Sequence, residues 1–162
     1  MTALPWGSTL EAKSASRLDE SRLPAPFRAP FARPPALRPW KTTRDEDGLL
    51  VDHFSLTEKP GHAQIVPGLT TPVWGYNGLV PGPTIHVQRG RRAVLRVRNH
   101  LPPTHPLLGH ESTTSLHLHG SASLPEYDGY ANDVTPPGFY KDYEFPNTQP
   151  ARTLWYHDHG VH

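Results

Sequence analysis

From about residue 48 onward, the chain consists of short segments in which apolar and polar residues alternate, separated by turn residues. In Arg92–Asn99, the apolar residues Ala93, Leu95 and Val97 alternate with arginines, and only Val94 departs from the pattern. Because successive side chains of a strand point to opposite faces, this period of two predicts a half-buried strand. Further strands are predicted at residues 49–56, 84–88, 113–119, 139–145 and 153–159. No segment has sustained helical periodicity, so we predict an all-β sandwich or Greek-key barrel.

The N-terminal part of the chain has a different composition. Prolines recur there with Ala, Arg and Phe, at positions Pro24, Pro26, Pro30, Pro34, Pro35 and Pro39. Such a sequence favours extended backbone over helix. We therefore predict a proline-rich N-terminal arm over residues 1–45 and a β-domain over residues 46–162. The arm either lies across the domain or is a partly disordered tail, and a ligand for a proline-recognition domain is the alternative.

Charge and hydropathy restrict the partners of the chain. There are 16 basic and 15 acidic residues, which implies no general attraction to polyanions, so we expect no nucleic-acid partner. No stretch approaches the roughly 20 apolar residues of a membrane span, so we expect no membrane partner. The first twenty residues include several charges and no apolar core of a secretory signal, and a cytoplasmic location is therefore our expectation.

The residues that can bind a metal are also restricted, because the chain contains no cysteine and 11 histidines. Thiolate metal sites, disulfides and iron–sulfur clusters are thereby excluded. Any metal must be held by nitrogen and oxygen ligands, and imidazole-rich sites suit copper, zinc, iron or nickel.

Two His-x-His-Gly tetrads, at residues 117–120 and 157–160, are the strongest candidates for such a site. On a strand, the two histidines of a tetrad point to the same face, with Cα atoms roughly 6.5 to 7 Å apart. This spacing allows both imidazoles to bind one metal or two adjacent ones. Because clustered neutral imidazoles are costly to gather unless they bind something, we predict a shared metal site with His117, His119, His157 and His159 as ligands.

The segment between Gly120 and about Pro137 has no strand pattern. Loops of this length in a compact domain are usually functional or disordered. Since this loop leaves directly from the first tetrad, we expect it to contribute to the site.

Several motifs together resemble the first two copper motifs of multicopper oxidases. They are Leu116-His117-Leu118-His119-Gly120, Asp128-Gly129-Tyr130 and Leu154-Trp155-Tyr156-His157-Asp158-His159. The run from Trp74 to Ile85 looks like the segment that opens the first cupredoxin domain of that family. The details are similar to spore-coat laccases, bilirubin oxidases and phenoxazinone synthases. The resemblance covers residues from about 24 to the end, and it implies that residues 46–162 are the first cupredoxin-like domain.

The resemblance also implies a role for each site residue. His117 would bind the type 2 copper, His119 and His157 one copper of the type 3 pair, and His159 the other copper of that pair. In the family, these coppers form the trinuclear cluster at which O2 is reduced to water. Asp128 matches an acidic residue that supports proton delivery, and an ordinary turn residue before Gly129 is the alternative.

The same resemblance implies that part of the enzyme lies outside this sequence. The family takes the other cluster histidines from a C-terminal cupredoxin domain, and its type 1 copper, which oxidises phenolic or other aromatic reductants, needs a cysteine. We therefore expect a fragment of a larger oxidoreductase that lacks its final barrel strand or strands. The 162-residue chain alone is expected to be inactive.

Two other functions remain open from the residues themselves. Three of the four histidines would suffice for a self-sufficient mononuclear zinc or copper site with an open position for water. Alternatively, the imidazoles would simply hold copper in a non-catalytic binding module. Copper stoichiometry and colour separate these possibilities.

Overall fold

The computed structural model describes residues 19–160, and these residues are almost entirely strands and loops. The strands are β1 (Ala36–Leu37), β2 (Lys41–Arg44), β3 (Leu50–Ala63), β4 (Thr71–Tyr76), β5 (Thr84–Ile85), β6 (Arg92–Asn99), β7 (Leu116–His119), β8 (Tyr140–Phe145) and β9 (Trp155–Asp158). Two single-turn 3-10 helices, Glu20–Arg22 and Pro125–Tyr127, are the helical elements of this part of the chain. The all-β prediction is confirmed. No helix among residues 19–160 is long and apolar enough to cross a membrane.

A five-stranded sheet is built around the long strand β3. Its first half pairs with β2 in antiparallel and with β6 in parallel orientation, and its second half pairs with β4. β8 adds to β6 in antiparallel orientation. In a second layer, β7 and β9 form an antiparallel pair, while β1 and β5 form a short parallel pair.

The hydrophobic core lies between the large sheet and the β7–β9 pair. The buried members are Phe54, Leu56, Ala93, Leu95, Val97, Leu116, Tyr143 and Phe145. The predicted alternation of β6 is confirmed, since Ala93, Leu95 and Val97 are buried. Leu116 attaches the second layer to the first, because its side chain is in this core and its backbone N–H donates to the Tyr143 hydroxyl at 3.0 Å.

The outer face of the large sheet is held by ion pairs. Arg92 pairs with Glu144, and Arg96 pairs with Asp142 across the β6–β8 ladder. Arg91 also reaches the Asp52 carboxylate at 2.6 Å, but Asp52 is buried and lies on the inward face of β3, in alternation with Phe54. Arg92 and Arg96 lie on a charged, solvated strand face, where such pairs are worth little individually.

The structure differs from the predicted strand pattern in three places. β3 extends to Ala63 rather than ending near residue 56, and β4 was not predicted. β1 and β2 lie in residues that we assigned to the arm, although β1 pairs with β5 and β2 with β3. The compact unit that contains the sheets begins at Phe31, and the boundary between arm and domain at residue 45 stays a prediction. Residues 1–18 of the predicted arm are outside the described residues.

Candidate metal centre

Both His-x-His tetrads lie on the β7–β9 pair, at matching positions. In the ladder, His117 is opposite His157, His119 is opposite Trp155, and Leu118 is opposite Tyr156. Because directly paired residues share a face of the sheet and alternate along it, the histidines occupy one face. Leu116, Leu118 and Tyr156 occupy the other and pack on the core. The apolar residues between the histidines therefore determine which face the imidazoles occupy.

The four predicted ligands come together at this face. The ring centroid of His117 lies 5.4 Å from those of His119 and His157 and 5.1 Å from that of His159. One nitrogen from each of His117, His119 and His157 lies within 4.8 Å of the other two. His159 follows β9 and is held by its backbone N–H, which donates to the Ser115 carbonyl at 2.8 Å. Its ring flanks the three-histidine group.

Three of the rings are oriented by backbone carbonyls. The Nδ1 atoms of His117, His157 and His159 lie 2.5, 2.8 and 2.9 Å from the carbonyl oxygens of Asp128, Asp158 and Gly129. A carbonyl oxygen only accepts, so each Nδ1 carries the proton, and the Nε2 lone pair of a neutral ring remains for a metal. The same arrangement orients metal-ligating histidines in general.

An unpaired nitrogen supports the fit of a metal ion to this group. The Nε2 atom of His157 is buried and has no hydrogen-bond partner among the described residues. A buried polar atom without a partner is destabilising unless something binds it. Since Nδ1 of the same ring donates to a carbonyl, this Nε2 is a lone-pair donor that a metal ion would satisfy.

Trp155 forms an aromatic wall beside the site. Its ring stacks on His157 at 4.2 Å and 25° between planes, and on His119 at 5.1 Å and 17°. It thereby limits the rotation of two of the predicted ligands. No role was predicted for Trp155 from the sequence, although its position opposite His119 follows from the register of the two tetrads.

The long loop after β7 returns beneath the histidines, as expected from its departure at the first tetrad. At its Asp128-Gly129 turn, it supplies two of the carbonyls that orient rings. Gly129 has φ +75°, and a Cβ there would lie 2.0 Å from the Leu116 carbonyl oxygen. Only glycine therefore allows the loop to pass this close to β7.

Asp128, the predicted proton-relay residue, lies beside the site. Its carboxylate oxygen Oδ1 is 3.7 Å from Nδ1 of His117, and its side chain is 31% exposed. Its backbone oxygen, rather than its carboxylate, accepts the hydrogen bond from His117. Both a relay and a turn role are compatible with this position.

The other histidines of the described region form no further group of three metal-binding side chains. His105 and His110 lie together in a separate loop, with ring centroids 5.3 Å apart. Nδ1 of His105 accepts from the backbone N–H groups of Leu107 and Leu108, so this ring shapes its own loop. His162 is outside the described residues.

The fold and the histidine group define an all-β domain that gathers imidazoles on one face of a strand pair, where they could hold a metal ion. A family model described as "Multicopper oxidase" matches residues 58–162. The chain therefore belongs to the multicopper oxidase family, whose members are copper-dependent oxidoreductases, and its fold is cupredoxin-like.

Individual relatives agree with this assignment. The chain is 41% identical over 138 residues to a bilirubin oxidase of Albifimbria verrucaria, covering 84% of this chain and 23% of that protein. It is 38% identical over 112 residues to a laccase of Bacillus subtilis (strain 168), covering 56% and 22%. A multicopper oxidase structure from Campylobacter jejuni superposes with a TM-score of 0.62 at 29% identity, covering 80% of this chain and 25% of the other. The chain thus spans about a quarter of the length of these relatives.

Proposed function

We propose that this chain supplies half of the histidine ligands of a trinuclear copper cluster that reduces O2 to water. In this assignment His117 binds the type 2 copper, His119 and His157 bind one type 3 copper, and His159 binds the other. The observation that carries the proposal is the convergence of four imidazoles, three of which keep Nδ1 on a backbone carbonyl and offer Nε2. Imidazole is a ligand that suits copper.

The site is preorganised by residues of the metal-free chain. The Asp128-Gly129 turn fixes two rings and Trp155 stacks on two, so little side-chain freedom is lost on binding. Copper, when bound, would supply the redox chemistry of oxygen reduction. In the proposal, Asp128 exchanges protons beside His117.

The remaining parts of the enzyme are proposed to lie in further cupredoxin domains of a longer protein. The chain has no cysteine, and a type 1 copper takes a thiolate. The relatives that it matches are several times longer and are named bilirubin oxidase and laccase. We therefore propose a phenol or related electron-rich aromatic as the reductant, oxidised at a copper outside residues 1–162.

The test is a substitution in the full-length oxidase that carries these residues. We expect His157→Gln to lower the copper content and to abolish oxygen consumption, while the blue absorption of the type 1 copper persists. The matched control is His100→Gln, since His100 is exposed and outside the group. Full copper content and full oxygen consumption in the His157→Gln protein would contradict the proposal.

A mononuclear site is the second candidate, and one observation favours it. The donor nitrogens of His117, His119 and His157 form a compact group without His159, as in catalytic zinc sites with three protein ligands and one open position. One tightly bound zinc or copper per chain, unchanged by His159→Gln, is the result expected of such a site. A cluster requires His159 for full copper content.

A further inference from the structure

Glu58 occupies a core position of β3. Phe54, Leu56 and Glu58 follow one another on the inward face of the strand, and the Glu58 residue is only 5% exposed. Its Oε2 accepts a hydrogen bond from the Thr114 hydroxyl at 2.5 Å, whereas Oε1 is buried without a hydrogen-bond partner among residues 19–160. A charged carboxylate in such a place is strongly disfavoured unless a cation pairs with it.

The groups around Glu58 provide no such cation. Tyr76 on β4 lies directly opposite Glu58, and its hydroxyl is also buried without a partner in the described region. Asn99 is its neighbour on β6 and is uncharged, and Tyr143 on β8 and Asp158 on β9 also interact with it electrostatically. Within residues 19–160, the titratable groups found to act on Glu58 are thus acids or phenols. The arrangement favours the neutral, protonated carboxyl.

Glu58 is connected to the metal centre through Asp158. Thr114, which donates to Glu58, is followed by Ser115, whose backbone N–H donates to Oδ1 of Asp158 at 2.9 Å. Asp158 stands between the two ligands His157 and His159. Its carboxylate therefore lies in the electrostatic range of both Glu58 and a metal ion on the histidines.

The electrostatics of the cluster agree with its geometry. Burial raises the pKa of Glu58 to about 7, the hydrogen bond from Thr114 opposes that rise, and the Asp158 carboxylate adds to it. A cation on the histidines would offset the negative field of Asp158, which would lower the free energy needed to ionise Glu58.

We propose that Glu58 is a proton-storing carboxyl of the metal centre, protonated when the histidines are free and ionised when they hold Cu²⁺. This inference rests on the proposed copper function. On copper binding, the O–H bond of the carboxylic acid breaks, its electron pair stays on the carboxylate, and the proton leaves to solvent; no electrons are exchanged. In the working oxidase, the same group would hold a proton close to where oxygen reduction consumes protons.

The first measurement counts protons released during a Cu²⁺ titration of the metal-free, full-length oxidase. Calorimetry at pH 6 in buffers of different ionisation enthalpy gives the number released per copper site. We expect Glu58→Gln to release fewer protons than the wild type, by about half to one proton per centre, because the amide has none to lose. The matched control is Glu144→Gln, a half-buried carboxylate paired with Arg92 on the outer face of the sheet. The Glu144→Gln protein should release as many protons per copper site as the wild type.

The second measurement needs no stable variant. In the infrared spectrum of the wild-type protein, the C=O stretch of a protonated carboxylic acid should be present before Cu²⁺ is added and should disappear afterwards. In the metal-free proteins, the band should be present in Glu144→Gln and absent in Glu58→Gln. Equal proton release from wild type and Glu58→Gln, or no carboxylic-acid band lost in the wild type, would overturn the inference while leaving the copper site intact. Failure of the wild type to bind Cu²⁺ would instead overturn the proposed function.

Discussion

At the scale of single residues, backbone carbonyls decide which nitrogen of His117, His157 and His159 would face a metal. Asp128, Asp158 and Gly129 provide these acceptors, and two of them belong to one turn. The histidines were predictable from their spacing, because a strand places alternate residues on one face. The carbonyls were not, since every residue has one and only the tertiary path of the loop selects those that contact the rings.

Gly129 provides a sharp test of that loop path. We expect Gly129→Ala to lose copper and to lower the free energy of unfolding by more than the control Gly138→Ala. Gly138 has φ +87° and open space where a Cβ would lie, with no atom within 4 Å, whereas at Gly129 the Leu116 carbonyl is in the way. The control should cost only the left-handed penalty of about 1–2 kcal/mol. Denaturant unfolding and copper analysis measure both, and equal losses with full copper in each variant would contradict this account.

Because the pKa of Glu58 is raised in the folded chain, we expect the free energy of unfolding to depend on pH. Its pKa is about 7 in the folded chain against an ordinary value of 4.5, so between these values the folded state holds a proton that the unfolded state lacks. Stability therefore falls as pH rises from about 4.5 through 7, by up to roughly 3 kcal/mol. Glu58→Gln should flatten this part of the unfolding curve measured in metal-free protein. An unchanged slope would show that Glu58 is ionised throughout.

At the scale of elements, the clearest alternation produced the most accurate prediction. Residues 92–99 form β6 as predicted, and β7 and β9 lie inside their predicted ranges. The second half of β3 was missed because Pro60 and Gly61 are turn residues in most contexts. There β3 pairs only with β4, beyond the end of its ladder with β6, and a proline is tolerated at such an edge. β4 was not predicted for the same reason, since it contains the turn residues Pro72 and Gly75.

The metal centre depends on β7, and β7 is attached to the core through Leu116. Leu116 is 1% exposed in the core, and it immediately precedes His117. We expect Leu116→Ala to destabilise the fold by about 2–5 kcal/mol and to weaken copper binding. Leu107→Ala is the control, since Leu107 is 89% exposed, and it should change neither. Thermal unfolding and copper titration give the two readouts, and normal copper affinity in a destabilised Leu116→Ala protein would separate the site from the core.

At the scale of the whole molecule, the β7–β9 layer is small for the sheet that it covers. Neither strand pairs with a further strand within residues 19–160. A cavity of about 640 Å³ lies between the layers, lined by Phe54, Trp74, Leu95, Leu118, Phe145 and Tyr156 among others. An exposed apolar surface of this kind marks a place where another segment packs. The closing strand expected from the sequence stays a prediction that fits this cavity.

This cavity predicts the behaviour of the 162-residue chain produced alone. We expect it to bind a hydrophobic fluorescent dye strongly, because its apolar cavity is accessible. On the proposed function, we also expect it to show no oxidase activity, because the other cluster ligands and the type 1 copper are proposed to lie outside residues 1–162. The full-length oxidase should bind the dye weakly. Weak dye binding by the short chain, or oxygen consumption by it with a phenolic reductant, would show that residues 1–162 are self-sufficient.

The most direct test of the metal centre is an anomalous X-ray diffraction experiment on crystals of the copper-loaded, full-length oxidase, recorded at the copper absorption edge. We predict copper peaks at bonding distance from Nε2 of His117, His157 and His159, with Nδ1 of each still on its backbone carbonyl. Copper peaks elsewhere, or histidine rings turned away from one another into solvent, would contradict the assignment of these two strands as one wall of the copper cluster.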